Sequence, residues 1–182
     1  MSSVLTQNYF ELFSLPQRYA LDRGALDARY RDLQRSAHPD RHAGAGDQQR
    51  RLSLQQAARI NEAYEVLKDP LRRGRYLLEL RGQPGGSETA THQDAAFLMQ
   101  QMELREALAE VRGREDPLGG LDTLTRDIEN RYRALEAELA AALDGPSAES
   151  AEALALVEKM QFFARLRQEA QELEAELEDE LL

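Results

Sequence analysis

Three apolar stripes of helical period run through the C-terminal half of this chain, and glycine or proline punctuates each. Leu121, Leu124, Ile128, Tyr132, Leu135 and Leu139 recur three or four residues apart, so one helix over about residues 121–143 gathers them on one face. Leu156, Met160, Phe163, Leu166, Leu173 and Leu177 share a face of a second helix, running from about residue 148 to the end. A third pattern covers about residues 93–112 and stops at Gly113 and an Asp116-Pro117 turn. Asp144-Gly145-Pro146-Ser147 closes one helix and caps the next. Such stripes joined by short turns predict an antiparallel three-helix bundle. β-Branched residues are scarce and Ala, Leu, Glu, Gln and Arg dominate, so strands are not expected.

The N-terminal part reads as a separate helical unit. A short helical turn at Tyr9-Phe10-Glu11-Leu12-Phe13 ends at Leu15-Pro16. Asp22 is the expected N-cap of a helix reaching about Ala37, with Leu26, Tyr30, Leu33 and Ala37 on one face. His38-Pro39-Asp40 ends it, because proline lacks a backbone donor and disfavours helix at the residue before it. A polar loop through Gly44 and Gly46 leads to a helix over about 47–68, with Ile60, Tyr64 and Leu67 on one side. Asp69-Pro70 starts a short helix whose Tyr76-Leu77-Leu78 packs back on the others. Residues 81–93 are the clearest break in composition, giving units at 1–80 and 94–182 with a linker between.

Charge separates the same two parts. Residues 1–80 hold 13 Lys and Arg against 10 Asp and Glu, while residues 81–182 hold 10 against 23. An acidic C-terminal unit argues against nucleic acid as the main ligand, since phosphate contacts need Lys and Arg. No apolar run approaches the ~20 residues that span a bilayer. Met1–Asn8 has neither a basic nor an apolar signal region, which predicts a cytoplasmic protein. Cysteine is absent, so thiolate chemistry and disulfides are excluded. His38 and His42 stand four apart, but Pro39 breaks the helix that would pair them on a metal. No phosphate loop or nucleophile elbow occurs. The expectation is a protein with no catalytic residue, no metal and no cofactor.

His38-Pro39-Asp40 gains meaning from what flanks it. The helix before it carries Tyr30-Arg31-Asp32-Leu33, and the helix after the loop carries Ile60-Asn61-Glu62-Ala63-Tyr64 through Asp69-Pro70. This arrangement resembles the J-domain, an antiparallel helical hairpin whose His-Pro-Asp loop activates a heat-shock ATPase chaperone. Tyr9–Pro16 and Ala96–Glu106 narrow the resemblance to the HscB family, the J-type co-chaperones of iron–sulfur cluster assembly. It covers nearly the whole chain and implies an all-α J-domain joined to a three-helix C-terminal domain. It also implies two partners, an HscA-type ATPase chaperone and an IscU-type scaffold. Two positions depart from the J-domain pattern: Asp32 stands where many members are basic, and Ala37 where many are aromatic. The N-terminal cysteine metal motif of some members is absent.

The two surfaces can also be read physically. Arg31 and Arg35, with Arg29 beside them and Arg41 beyond the loop, form a basic surface next to His38-Pro39-Asp40, suited to an acidic protein partner. His38 and Asp40 would make directed polar contacts, with Pro39 fixing the backbone between them. On the first C-terminal helix, at about 100° per residue from Phe97, Leu104, Leu108 and Val111 fall near zero and mark the core. Leu98, Met102 and Met99 fall at about 100°, 140° and 200°, with Glu106, Glu110 and Glu103 among and beyond them. Phe162, about 70° off the stripe of the last helix, could join this off-core patch. A competing reading gives the patch to contact with the N-terminal unit. In the family the scaffold binds this helix, at residues matching Leu98, Met99, Met102, Glu103, Glu106, Glu110 and Phe162. Two alternatives remain: a J-domain adaptor for another client, or a helical interaction protein in which His-Pro-Asp is incidental.

Overall fold

A computed structural model describes residues 6–37, 47–83, 94–145 and 150–180. His38, Pro39, Asp40, Arg41 and most of the expected linker therefore lie outside the described residues. The described residues contain helices and no strand, and the chain divides into two compact units, Met1–Arg81 and Gly82–Leu182. No helix among them is long and apolar enough to cross a membrane.

The first unit holds α1 (Tyr9–Leu12), α2 (Arg23–Ala37), α3 (Asp47–Lys68) and α4 (Pro70–Leu80). Asn8 and Glu11 form a reciprocal capping box at the start of α1. A Schellman turn ends it: the Leu15 N–H donates to the Phe10 carbonyl at 2.9 Å, and Ser14 takes the left-handed conformation at φ 54. Asp22 caps α2, accepting from the Ala25 N–H at 3.1 Å. α2 and α3 form an antiparallel hairpin, tied by a polar ladder. Tyr64 Oη donates to Asp27 at 3.0 Å, Tyr30 Oη donates to Asn61 at 2.9 Å, and the two tyrosine rings stack at 4.0 Å. Arg23 donates to the Lys68 carbonyl at the far end of the pair. Beneath the ladder Leu26, Ile60, Ala63 and Leu67 are buried with Leu77 and Leu78 of α4. α1 is pinned by Tyr9, which stacks on Tyr76 at 4.4 Å and donates its backbone N–H to the Tyr76 hydroxyl. Burial pushes both phenols above their usual pKa, and the nearby Glu62 carboxylate adds to the effect at Tyr9.

The second unit holds α5 (Ala95–Ala109), a 3-10 turn at Val111–Gly113, α6 (Pro117–Asp144) and α7 (Ser150–Asp179). Gln93–Arg112, expected as one helix, is thus a shorter α-helix followed by a tighter turn. α6 begins four residues earlier than the apolar stripe suggested. Asp116-Pro117 is its start rather than a turn: the Asp116 carboxylate accepts from the Gly119 N–H at 3.0 Å, and Pro117 occupies the first turn. The Asp116 carboxylate lies over Gly119, in space that a side chain there would make it vacate by turning. α6 and α7 pair antiparallel, joined by an Arg167–Glu129 ion pair at 2.7 Å with the Arg167 guanidinium over the Tyr132 ring. Leu121, Ile128 and Leu139 of α6 and Met160, Phe163 and Leu166 of α7 are buried in the core of this unit.

Candidate functional site

Of the site residues read from the sequence, the described ones fall on α2 in the first unit and on α5 and α7 in the second. On α2, Leu26 and Ala37 face inward. Arg31 and Arg35 lie about 140° and 180° around the helix from Leu26 and are exposed. Ala37 is therefore part of the hairpin's own packing and not of the exposed basic face. Asp32 forms a salt bridge with Arg35 one turn away, so part of the positive charge of this face is already matched within α2.

The second surface is built on α5, which is anchored to α7 near both of its ends. Asp94 caps the helix, accepting from the Phe97 N–H at 3.0 Å, and its other oxygen pairs with Lys159 of α7 at 2.8 Å. That Lys159 contact, with the backbone donor, holds the Asp94 carboxyl below its usual value. Lys159 also sits over the Phe97 ring at 5.3 Å. Phe97 meets Phe162 edge-on at 5.7 Å and Phe163 at 6.3 Å, so three rings lock α5 to α7. At the other end Arg112 pairs with Glu176 and Glu180, which raises its pKa further. Between these ties Leu104 and Leu108 are buried.

The outward face of α5 is what these ties leave in solvent. Leu98 is 37% exposed, Met99 64% and Met102 71%. Glu103, Glu106 and Glu110 are exposed beside them. A surface helix ordinarily carries one apolar stripe, turned to the core. α5 carries two, and the bundle covers only one.

Phe162 departs from expectation. It is only 8% exposed, and its ring completes the Phe97 cluster instead of standing free beside the methionines. The reason is geometric: α7 packs against two helices, so its buried arc is wider than a single stripe. Arg105, which the sequence reading passed over, lies over the Phe162 ring at 5.5 Å and covers its outer edge. Lys159 was missed in the same way, since neither cation follows an apolar period. An aromatic residue at the rim of a stripe is the one sequence signal for such a cation.

Because the Asp94 carboxyl is depressed when folded, its stabilising contribution is present above the unfolded value of 3.8 and disappears as pH falls through the folded value. Asp94→Asn keeps an N-cap and removes the charge. In thermal melts taken from about pH 6 down to about pH 2, the variant is expected to show a shallower acid loss than the parent. Its stability should be lower at neutral pH. Amide exchange at Ala96 and Phe97 should locate the difference.

Two family models match the chain. The DnaJ domain model covers residues 8–76, and the HSCB C-terminal oligomerisation domain model covers residues 93–180. Proteins named co-chaperone protein HscB homolog are similar along most of its length. The one from Burkholderia mallei is 46% identical over 86% of this chain and 91% of its own. The one from Cupriavidus taiwanensis is 44% identical over 98% of this chain and 100% of its own. Among solved structures, chaperone HscB from Vibrio cholerae superposes with a TM-score of 0.81 at 40% identity, covering 97% of this chain and 100% of that one. Human co-chaperone protein HscB superposes with a TM-score of 0.82 at 27% identity, covering 91% and 81%.

Proposed function

Because this chain belongs to the HscB family of J-domain co-chaperones, we propose that it serves iron–sulfur cluster assembly by joining two proteins. The exposed face of α5 binds an IscU-type scaffold. The His38-Pro39-Asp40 loop, with Arg31, Arg35 and Arg41, engages an HscA-type ATPase chaperone and stimulates its ATP hydrolysis. The chain contributes no catalytic group; the chaperone supplies the hydrolytic site. It needs no cofactor and no nucleic acid or membrane partner, and it acts in the cytoplasm.

The observation that carries this reading is the second apolar face of α5, with Leu98, Met99 and Met102 exposed inside an acidic rim. An apolar cluster rimmed by charge suits a protein partner. Methionine adapts to the shape it meets. We assign Leu98, Met99 and Met102 as anchors, and Glu103, Glu106 and Glu110 as the rim that orients the scaffold. Phe162 supports them from below, through Phe97 and Arg105.

The deciding experiment is the steady-state ATPase of the cognate chaperone, with and without this protein and the scaffold. Stimulation by the protein alone that rises further with scaffold supports the reading. Stimulation without scaffold binding would leave a general J-domain adaptor. No stimulation at all would leave a helical interaction protein with an incidental His-Pro-Asp.

The two contacts should also differ in salt dependence. Exposed charges are screened beyond about 8 Å at physiological ionic strength. Raising salt is therefore expected to weaken the chaperone contact at Arg31, Arg35 and Arg41 while scaffold affinity changes much less. A titration in which both affinities fell in parallel would contradict this division.

A further inference from the structure

The two methionines on α5 differ from the remaining methionine among the described residues. Met99 is 64% exposed and Met102 71%, one helical turn apart, while Met160 is 0% exposed in the core of the bundle. The chain has no cysteine. Among the described residues the exposed thioethers are therefore the most readily oxidised side chains, since susceptibility follows exposure. With Leu98 they make up the exposed apolar face, and exposed Glu103 and Glu106 stand beside them.

We propose that Met99 and Met102 are an oxidant-sensing modification site that switches off binding at the α5 face. The inference rests on α5 being the scaffold-binding surface. The oxidant is a peroxide. Hydrogen peroxide transfers one oxygen atom to the thioether sulfur: the O–O bond breaks, an S–O bond forms, the sulfur gives up two electrons, and water leaves. A dithiol-dependent sulfoxide reductase reverses the step, its two thiols becoming a disulfide as the oxygen departs as water. The product is a strongly polar, chiral side chain where the interface needs an apolar one. Burying it strips its hydration without an assured donor in return. The fold does not depend on either side chain, so the modification acts on binding and leaves the bundle intact.

The test treats the full chain with graded hydrogen peroxide. It follows oxygen gain at each methionine by peptide mass spectrometry, melting temperature, and affinity for an IscU-type scaffold. A Met99→Leu/Met102→Leu variant, close to volume-conserving, is measured in parallel. Expected are oxygen gain at Met99 and Met102 ahead of Met160, an unchanged melting temperature, and a loss of scaffold affinity of at least about tenfold. Sulfoxide reductase should restore the affinity. The leucine variant is scored against its own untreated affinity, whatever that is, and peroxide should leave that affinity unchanged because no thioether remains on the face. Unchanged affinity of the doubly oxidised protein would overturn the switch alone, as would equal loss of affinity in the leucine variant. Absence of scaffold binding by the unoxidised protein would overturn the reading of α5 and the switch together.

Discussion

A His38→Gln variant is expected to leave the chaperone ATPase at its unstimulated rate while binding scaffold as tightly as the parent protein. The tripeptide lies in the connection between α2, which ends at Ala37, and α3, which begins at Asp47. The packing of the hairpin is carried elsewhere, by Leu26, Ile60 and Leu67 and by the Tyr30–Tyr64 stack. Replacing His38 should therefore cost little stability, and substitutions away from packed features usually fall within about 0.5 kcal/mol. The scaffold contact is assigned to the other unit and should not change. Glutamine keeps a polar side chain of similar reach but loses the imidazole, so it tests a directed contact rather than mere bulk. Steady-state ATPase, a thermal melt and scaffold affinity on one preparation make the comparison. Full stimulation by the folded variant would remove the chaperone-activating role from this loop.

The largest contrast is expected between the outer face of α5 and the ring beneath it. Leu98→Ala, Met99→Ala and Met102→Ala should each cost about 1–3 kcal/mol of scaffold binding if they are central anchors. Combined, they should abolish binding at ordinary working concentrations. The melting temperature should barely move for Met99→Ala and Met102→Ala, whose side chains are largely in solvent, and only modestly for Leu98→Ala, which is partly covered. Phe162→Ala should do the reverse. It removes a ring that meets both Phe97 and Phe163, and large aromatic truncations in a core cost about 3–5 kcal/mol. In a unit of this size that lowers the melting temperature by more than about 10 °C. Scaffold affinity of Phe162→Ala measured well below its melting point should fall only as far as α5 loosens. If the outer face instead served the contact between the two units, the triple variant would melt lower and bind scaffold normally.

Where periodicity and caps agreed, the sequence was enough. The stripe ending at Leu67 and Lys68 and the cap at Asp22 reappear in α3 and α2 as read. The Asp-Pro pair shows where a local signal is ambiguous. At Asp69-Pro70 the following Leu71 and the apolar run to Leu80 marked a helix start. At Asp116-Pro117 the preceding helical pattern had just stopped at Gly113 and the next apolar stripe began only at Leu121, so the pair read as a turn. The structure makes both pairs the same cap: Asp69 accepts from the Arg72 N–H and Asp116 from the Gly119 N–H, with the proline in the first turn each time. In the candidate site, the exposure of Leu98, Met99 and Met102 followed from angles on one helix, since only the position of the core stripe was needed. Phe162 did not, because its burial depends on how α5 crosses α7, a relation between distant segments that no single-helix projection contains. The cations over Phe97 and Phe162 depend on the same crossing.

The separation of the two faces of α5 has a consequence for how such a chain can change over generations. Phe97, Leu104 and Leu108 hold the helix in place, while Met99 and Met102 stand largely in solvent and Leu98 partly so. Substitutions on the outer face are thus free of the penalty that removes most core variants from a lineage. The chain can drift in what it recognises while its folded population stays constant. The tripeptide proposed to address the ATPase, encoded in the other unit, need not change with it. Client choice and chaperone command can then be inherited as separable traits, and a duplicated copy could acquire a new client by altering a few positions along about two turns of one helix.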